Sequence, residues 1–150
     1  MPGLAWDVAR AAIHARLWTD ATLLALTGKH PADATKARVF DEAPPKGALY
    51  PHVILGEAFS SPNNRMGGKR GHSIQFFVHS WSKKETNDER DEVADRVDEL
   101  LDNYLALVVT GWSVELLNEE ETRHIEEFAG PNLIPMRHAI GRYRLDVVEA

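Results

Sequence analysis

The 150-residue sequence contains no cysteine. That excludes disulfides, thiolate metal sites and a cysteine nucleophile, and it fits a reducing cytoplasm. Long apolar runs are missing too: the longest uninterrupted one, Leu105 to Val109, is far too short to cross a membrane. The opening, MPGLAWDVARAA, carries an acid and lacks an apolar core, so it does not read as a secretion signal. Nor is there an excess of positive charge. Lys and Arg number 17 against 23 Asp and Glu, a formal net charge of −6, which argues against general affinity for nucleic acid. Catalytic signatures are absent as well: there is no G-x-S-x-G elbow, no H-E-x-x-H, no G-x-G-x-x-G and no G-x-x-x-x-G-K-[ST]. What remains is 43% hydrophobic and 27% charged, ordinary globular usage. The expectation is one soluble, intracellular domain over residues 1–150.

Residues 4–17 place Leu4, Trp6, Ala9, Ile13 and Leu17 at helical steps. Thr19-Asp20 offers a cap for a second short helical stretch with Leu23, Leu24 and Leu26 on its apolar side, and Gly28 offers a stop. Pro31, Pro44, Pro45 and Gly47 make 29–50 read as a loop with one short extended piece at 38–40. PHVILGEAF, 51–59, reads as a strand, and GHSIQFFVHSWS, 71–82, as a longer one. Alternation in the second puts Ile74, Phe76 and Val78 on one face and Phe77, His79 and Trp81 on the other. Both faces are apolar or aromatic, which marks Phe77, His79 and Trp81, on the outer face of the sheet, as candidate interface residues.

Residues 86–104 form the clearest helix. Thr86 and Glu89 make a capping-box pattern, and Val93, Val97, Leu100 and Tyr104 form a narrow apolar stripe with Leu101 beside it. Its acids (Glu85, Asp88, Glu89, Asp91, Glu92, Asp95, Asp98, Glu99 and Asp102) predict a solvated face on which nothing shifts a carboxyl pKa. Strands follow at 109–117, with Trp112, Val114 and Leu116 inward, and at 137–149, with Gly141, Tyr143, Leu145 and Val147 on one face. The order α-β-β-α-β-β predicts an α+β fold, a four-stranded antiparallel sheet with helices on one face.

SSPNNRMGGKRGHS, 60–73, joins the first two strands. It does not fit a phosphate loop: Lys69 is followed by Arg70, and the segment leads into a strand, leaving no helix N-terminus for an anion. A connection of about a dozen residues is long for a hairpin. Length and local positive charge make it a candidate docking arm, with Asn63, Asn64, Arg65, Met66, Lys69 and Arg70 as its contact residues. Among seven histidines, His72 and His79 point to opposite faces of one strand. His124 shares a face with Glu120, Glu121 and Glu127 only if that stretch is helical. No catalytic residue, metal site or cofactor is predicted.

The order of these pieces carries a resemblance. An amphipathic N-terminal helix precedes VFDEAPPKGALYPHVILGE, a hairpin leads into HSIQFFVHSWS, and DEVADRVDELLD and the closing HAIGRYRLDVVE follow. Over nearly its whole length the sequence resembles the tail-completion or tail-terminator family of long-tailed bacteriophages and gene transfer agents. The stretch 118–135 is longer than that pattern leads one to expect. The resemblance implies a structural virion protein without a cofactor. Such proteins form a ring, usually of six subunits, which caps the head-proximal end of the tail tube, ends its polymerisation and meets the head connector. The partners implied are further copies of the chain, the tail tube protein and a head-tail connector or adaptor protein. Genomic DNA would pass through the lumen without sequence-specific binding, and no membrane is involved. The protein would reside in the virion tail or neck, and in the host cytoplasm during assembly. The alternatives are a neighbouring neck or head-completion protein, a small metal-dependent hydrolase using His124 and nearby glutamates, and a monomeric module for a small ligand.

Overall fold

The computed structural model describes residues 2–41, 43–63, 68–84, 87–129 and 134–150, and of 2–4, 128–129 and 134–135 the backbone alone. Helices α1 (Pro2–Trp18) and α2 (Ala21–Thr27) precede three short strands, β1 (Lys29–His30), β2 (Asp33–Ala37) and β3 (Val39–Phe40). Then come β4 (His52–Pro62), β5 (Gly71–Ser82), α3 (Asp88–Leu101), β6 (Trp112–Ala129) and β7 (Ile134–Glu149). One sheet runs β3-β4-β5-β7-β6 and is antiparallel except where β3 lies beside β4; β1 and β2 make a separate ladder.

The α+β class expected from the sequence holds, but the four-stranded antiparallel sheet and the order α-β-β-α-β-β do not. The difference lies in 29–50: the short extended piece expected at 38–40 is present as β3 but joins the sheet as a fifth strand, and β1 and β2 form where the prolines signal a loop. Val39 and Phe40 pair in parallel with Val53 and Ile54, and the Val53 amide donates to the Arg38 carbonyl at 2.9 Å. A strand of two residues is too short for alternation to register. Arg38 holds this segment in place. Its guanidinium donates to the carbonyls of Thr27 (2.6 Å), Lys29 (3.0 Å) and Tyr50 (3.2 Å). Gly28, at φ +83°, permits that approach, since a Cβ there would lie 2.8 Å from the guanidinium.

The core is a column built on β5. Ile74, Phe76 and Val78 are buried as the alternation predicts. From α1, Ala5, Ala9, Ile13 and Leu17 are buried at steps of four, and Trp6 packs its ring on Phe76 at 5.4 Å. On its other side Phe76 stacks with Tyr143 of β7 at 5.5 Å. Gly141 makes room for that tyrosine: a Cβ on it would stand 2.8 Å from the Tyr143 ring. Asp20 joins the remaining helices. Its carboxylate accepts from the Leu23 amide at 2.8 Å, capping α2, and from the Arg96 guanidinium of α3 at 2.7 and 2.9 Å. Val93, Val97, Leu100 and Leu101 of α3 complete the same layer. Among the described residues no helix covers the opposite face of the sheet.

Three further expectations change. Helix α3 ends at Leu101, because Asp102 turns extended and Asn103 takes φ 59°, so Tyr104 lies beyond it with the Arg16 guanidinium 3.3 Å over its ring. Thr86 of the capping box lies outside the described residues; Glu89 accepts from the Ser82 hydroxyl at 2.8 Å and pairs with Lys84 at 3.0 Å. Strand β6 runs on to Ala129, paired with β7 along its length, so 118–129 is extended although its charges hide any alternation. Bulges between Val114 and Leu116 and between Glu119 and Glu121 shift its register, and Leu117 takes the buried position expected of Leu116.

Replacing Gly141 by alanine is expected to displace the Tyr143 ring and cost about 1–3 kcal/mol, measured by urea denaturation. A loss too small to resolve would mean that the ring swings aside freely.

Candidate functional site: an open sheet face and the loop beside it

Alternation on β5 and β7 sends Gln75, Phe77, His79 and Trp81, with His138, Ile140, Arg142 and Arg144, to the face no helix covers. The sequence-predicted trio Phe77, His79 and Trp81 therefore does share one surface, and all three are half-buried. Phe77 meets Phe59 edge-on at 6.3 Å, and Phe59 is 63% exposed. Trp81 stacks on the His138 ring at 3.7 Å, while His79 and His138 share a hydrogen bond of 2.8 Å between Nδ1 and Nε2. Gly56 lies beneath His79, where a Cβ would come within 2.6 Å of the imidazole. Burial, with the neighbouring His79 adding, pushes His138 down to about 4. At neutral pH it is an uncharged ring sandwiched between two others.

Charged groups on this face are matched within it. Arg123 pairs with Glu121 at 2.9 Å, Arg142 with Glu121 at 3.5 Å and Glu120 at 3.9 Å, and Arg144 with Asp146 at 3.0 Å. Gln75 donates to Glu120 at 3.1 Å. A hollow of about 250 Å³ opens between Glu57, Phe77, His79, Arg123, Ile140 and Arg142. A second, of about 440 Å³, reaches from Phe59, Gln75 and Arg144 to Pro62 and Asn63. The face and the loop are thus neighbours.

The loop itself is shorter than expected. The β4–β5 ladder extends to Pro62 opposite His72, and the Asn63 amide donates to the Gly71 carbonyl at 2.8 Å, leaving 63–70 as the connection. Gly71 is required there, because a Cβ would overlap the Asn63 carbonyl oxygen. Of the predicted contact residues, Asn63 is half-buried at the base, Lys69 and Arg70 are exposed, and Asn64, Arg65 and Met66 lie outside the described residues. Among the described residues no carboxylate pairs with the Lys69 or Arg70 side chain. The Glu149 amide donates to the Arg70 carbonyl at 2.9 Å and the Arg70 amide to the Glu149 carboxylate at 3.4 Å, which ties the end of the loop to β7.

His124 does not gather ligands. The stretch around it is a strand, so its helical premise fails, and its Nδ1 lies 3.4 Å from Asp91 of α3. Among the described residues no three potential ligands stand close enough to share an ion. Sequence reasoning missed His138, Ile140, Arg142 and Arg144, although the alternation of β7 places them opposite Tyr143 and Leu145. It also missed a carboxyl pair on the core side, Asp98 and Glu119, because α3 reads as uniformly solvated.

Residues 11–125 match the family described as Tail completion protein gp17. The chain belongs to that family. Its fold is similar to that of a chain in the virion of a native gene transfer agent (GTA) particle. The two are 20% identical, with 97% of this chain and 98% of that chain covered and a TM-score of 0.77. At that identity the likeness is one of fold. No curated protein matches the sequence. Membership in the tail completion family gives the protein a structural role in a phage or phage-like tail.

Because His138 is held neutral, the native state binds fewer protons than the unfolded chain as pH falls below about 6.5. Its contribution to stability is present above that pH and is lost on the way down through about 4. Solvent screening holds the effect to about 1–2 kcal/mol. Replacing His138 by phenylalanine should keep the stack on Trp81 and flatten this acid loss in thermal melts taken between those pH values; an unchanged slope would remove His138 as its source.

Proposed function

We propose that this tail completion family member folds as one domain and closes into a ring of six copies at the head-proximal end of the tail tube. There it ends tube polymerisation and joins the tail to the head connector. The family match over 11–125 carries this reading. A ring made head to tail needs two unlike patches on each copy. The open face around Phe59, Phe77, His79 and Trp81 is one candidate patch, and the loop with Lys69 and Arg70 is another. On a chain of net charge −6, Lys69 and Arg70, exposed and with no carboxylate on their side chains among the described residues, suit an acidic neighbour, and such pairing sets register and encounter rate more than affinity. The same negative charge suits a lumen through which DNA passes without being gripped. A position one step further along the neck, as a head-completion protein, is the second reading; labelled particles distinguish the two by location.

Native mass measured over a range of protein concentration, with negative-stain images of the same samples, is expected to show a closed hexamer in equilibrium with smaller species. Replacing Arg65, Lys69 and Arg70 together by serine should shift that equilibrium to the smaller species and reduce tail completion, with the melting temperature unchanged. Rings and tails that form as in the parent would remove the loop as a docking element.

A further inference from the structure

The acids of α3 divide by face. Asp88, Glu92, Asp95 and Glu99 point to solvent, whereas Asp98 turns toward the sheet and is half-buried. There it meets Tyr143, which is 2% exposed and donates its hydroxyl to Asp98 Oδ1 at 3.2 Å. Glu119 of β6 is in side-chain hydrogen-bond contact with Asp98 and accepts the Thr122 hydroxyl. Asp102, just past the end of α3, accepts the Glu119 amide at 2.8 Å. Three acidic residues are therefore linked in a chain, with Asp98 on the buried tyrosine, Glu119 on Asp98 and Asp102 on the Glu119 amide. Among the described residues no Lys or Arg joins them; the one basic ring that faces Glu119 is His124, itself beside Asp91.

Two carboxyl groups can hydrogen-bond each other only when one of them carries a proton. We propose that Asp98 and Glu119 share a single proton, which latches the end of α3 to β6, and that losing it loosens the connection between them. The latch spans the turn that follows α3 and the first part of β6. Next to it the Asn103 amide donates to the Leu117 carbonyl at 2.8 Å, so the same junction anchors both ends of the intervening loop. That loop carries Leu105 and Val108, which are 56% and 81% exposed and are two of the four large hydrophobic side chains presented to solvent among the described residues. Release of the proton thus acts on a surface that the molecule displays, whatever that surface meets.

Asp98 is the member that keeps the proton. Burial raises it most, and then the hydrogen bond to Glu119 and the charge of Glu119, to about 7, while Glu119 is held below its ordinary value by the bond from Asp98. The folded state thus retains a proton that the unfolded chain gives up above about pH 4. The stabilising effect is complete at low pH and is lost as pH rises through about 7. Asparagine at 98 keeps an acceptor for Tyr143 and a donor for Glu119, with no proton to lose.

Carboxyl carbon NMR of the unmodified protein, with assigned Asp98, reads the latch directly, and a titration near neutrality is expected. In parallel, amide exchange of Asn103 and Glu119, corrected for intrinsic base catalysis, is measured near pH 6 and near pH 8.5. Protection should fall roughly tenfold in the parent and stay level in Asp98→Asn. An Asp98 titration in the ordinary carboxylate range overturns the proposal, and so does an equal loss of protection in both proteins. Should the variant fail to fold, the titration of the parent decides alone.

Discussion

The stack of Trp6, Phe76 and Tyr143 is the contact on which the remaining arrangement depends. Three rings from α1, β5 and β7 lie in one column, so a helix and two strands far apart in sequence are fixed to each other at a single place. Phe76 holds the middle because strand alternation sends it inward together with Ile74 and Val78. Gly141 gives up a side chain so that Tyr143 can lie against the sheet. The tyrosine hydroxyl then reaches Asp98, which brings α3 to the same column. Dispersion and area burial hold the rings; the hydrogen bond at the end orients the helix.

Because all three helices gather on that side, the other side of the sheet has to make its own peace with water. It does so by neutralising its charges in the plane, Arg123, Arg142 and Arg144 each facing a carboxylate, and by stacking Trp81, His138 and His79 on one another. Exposed ion pairs of this kind contribute little to stability. What they do is let aromatic and arginine side chains, residue types enriched at the energetic centres of protein interfaces, lie open with each arginine beside a carboxylate. The ring proposed above would find here a surface already supplied with both.

Much of this was legible in the sequence, and for identifiable reasons. The division of β5 into Ile74, Phe76 and Val78 against Phe77, His79 and Trp81 survives intact, because twelve residues of clean alternation leave no second reading. The Asp20 cap and the Gly28 stop of α2 were equally plain, each being a local hydrogen-bonding need met by one residue type. What could not be read depends on contacts distant in sequence. The extended piece at 38–40 was legible, but its parallel pairing with β4 as a fifth strand was not, because two residues carry no pattern of their own. The far half of β6 is extended because β7 pairs with it, against a composition that gives no period. Asp98 looks like its eight acidic neighbours until Tyr143 and Glu119, from two other strands, close over it. The open face was half visible: β5 announced it, whereas His138 and Arg142 needed the register of β7 to be placed beside it.

Strand β6 is eighteen residues long and lies at the border of the sheet, with no further strand beyond it among the described residues. A plain border of that length is a template on which another chain can add hydrogen bond by hydrogen bond without limit. Here two bulges break the ladder, Glu119, Glu120 and Glu121 charge it, and Asp102 and Asn103 occupy its backbone at Glu119 and Leu117. These features work against growth by strand addition, and a ring of finite size, as proposed above, would form through side chains on faces and loops instead.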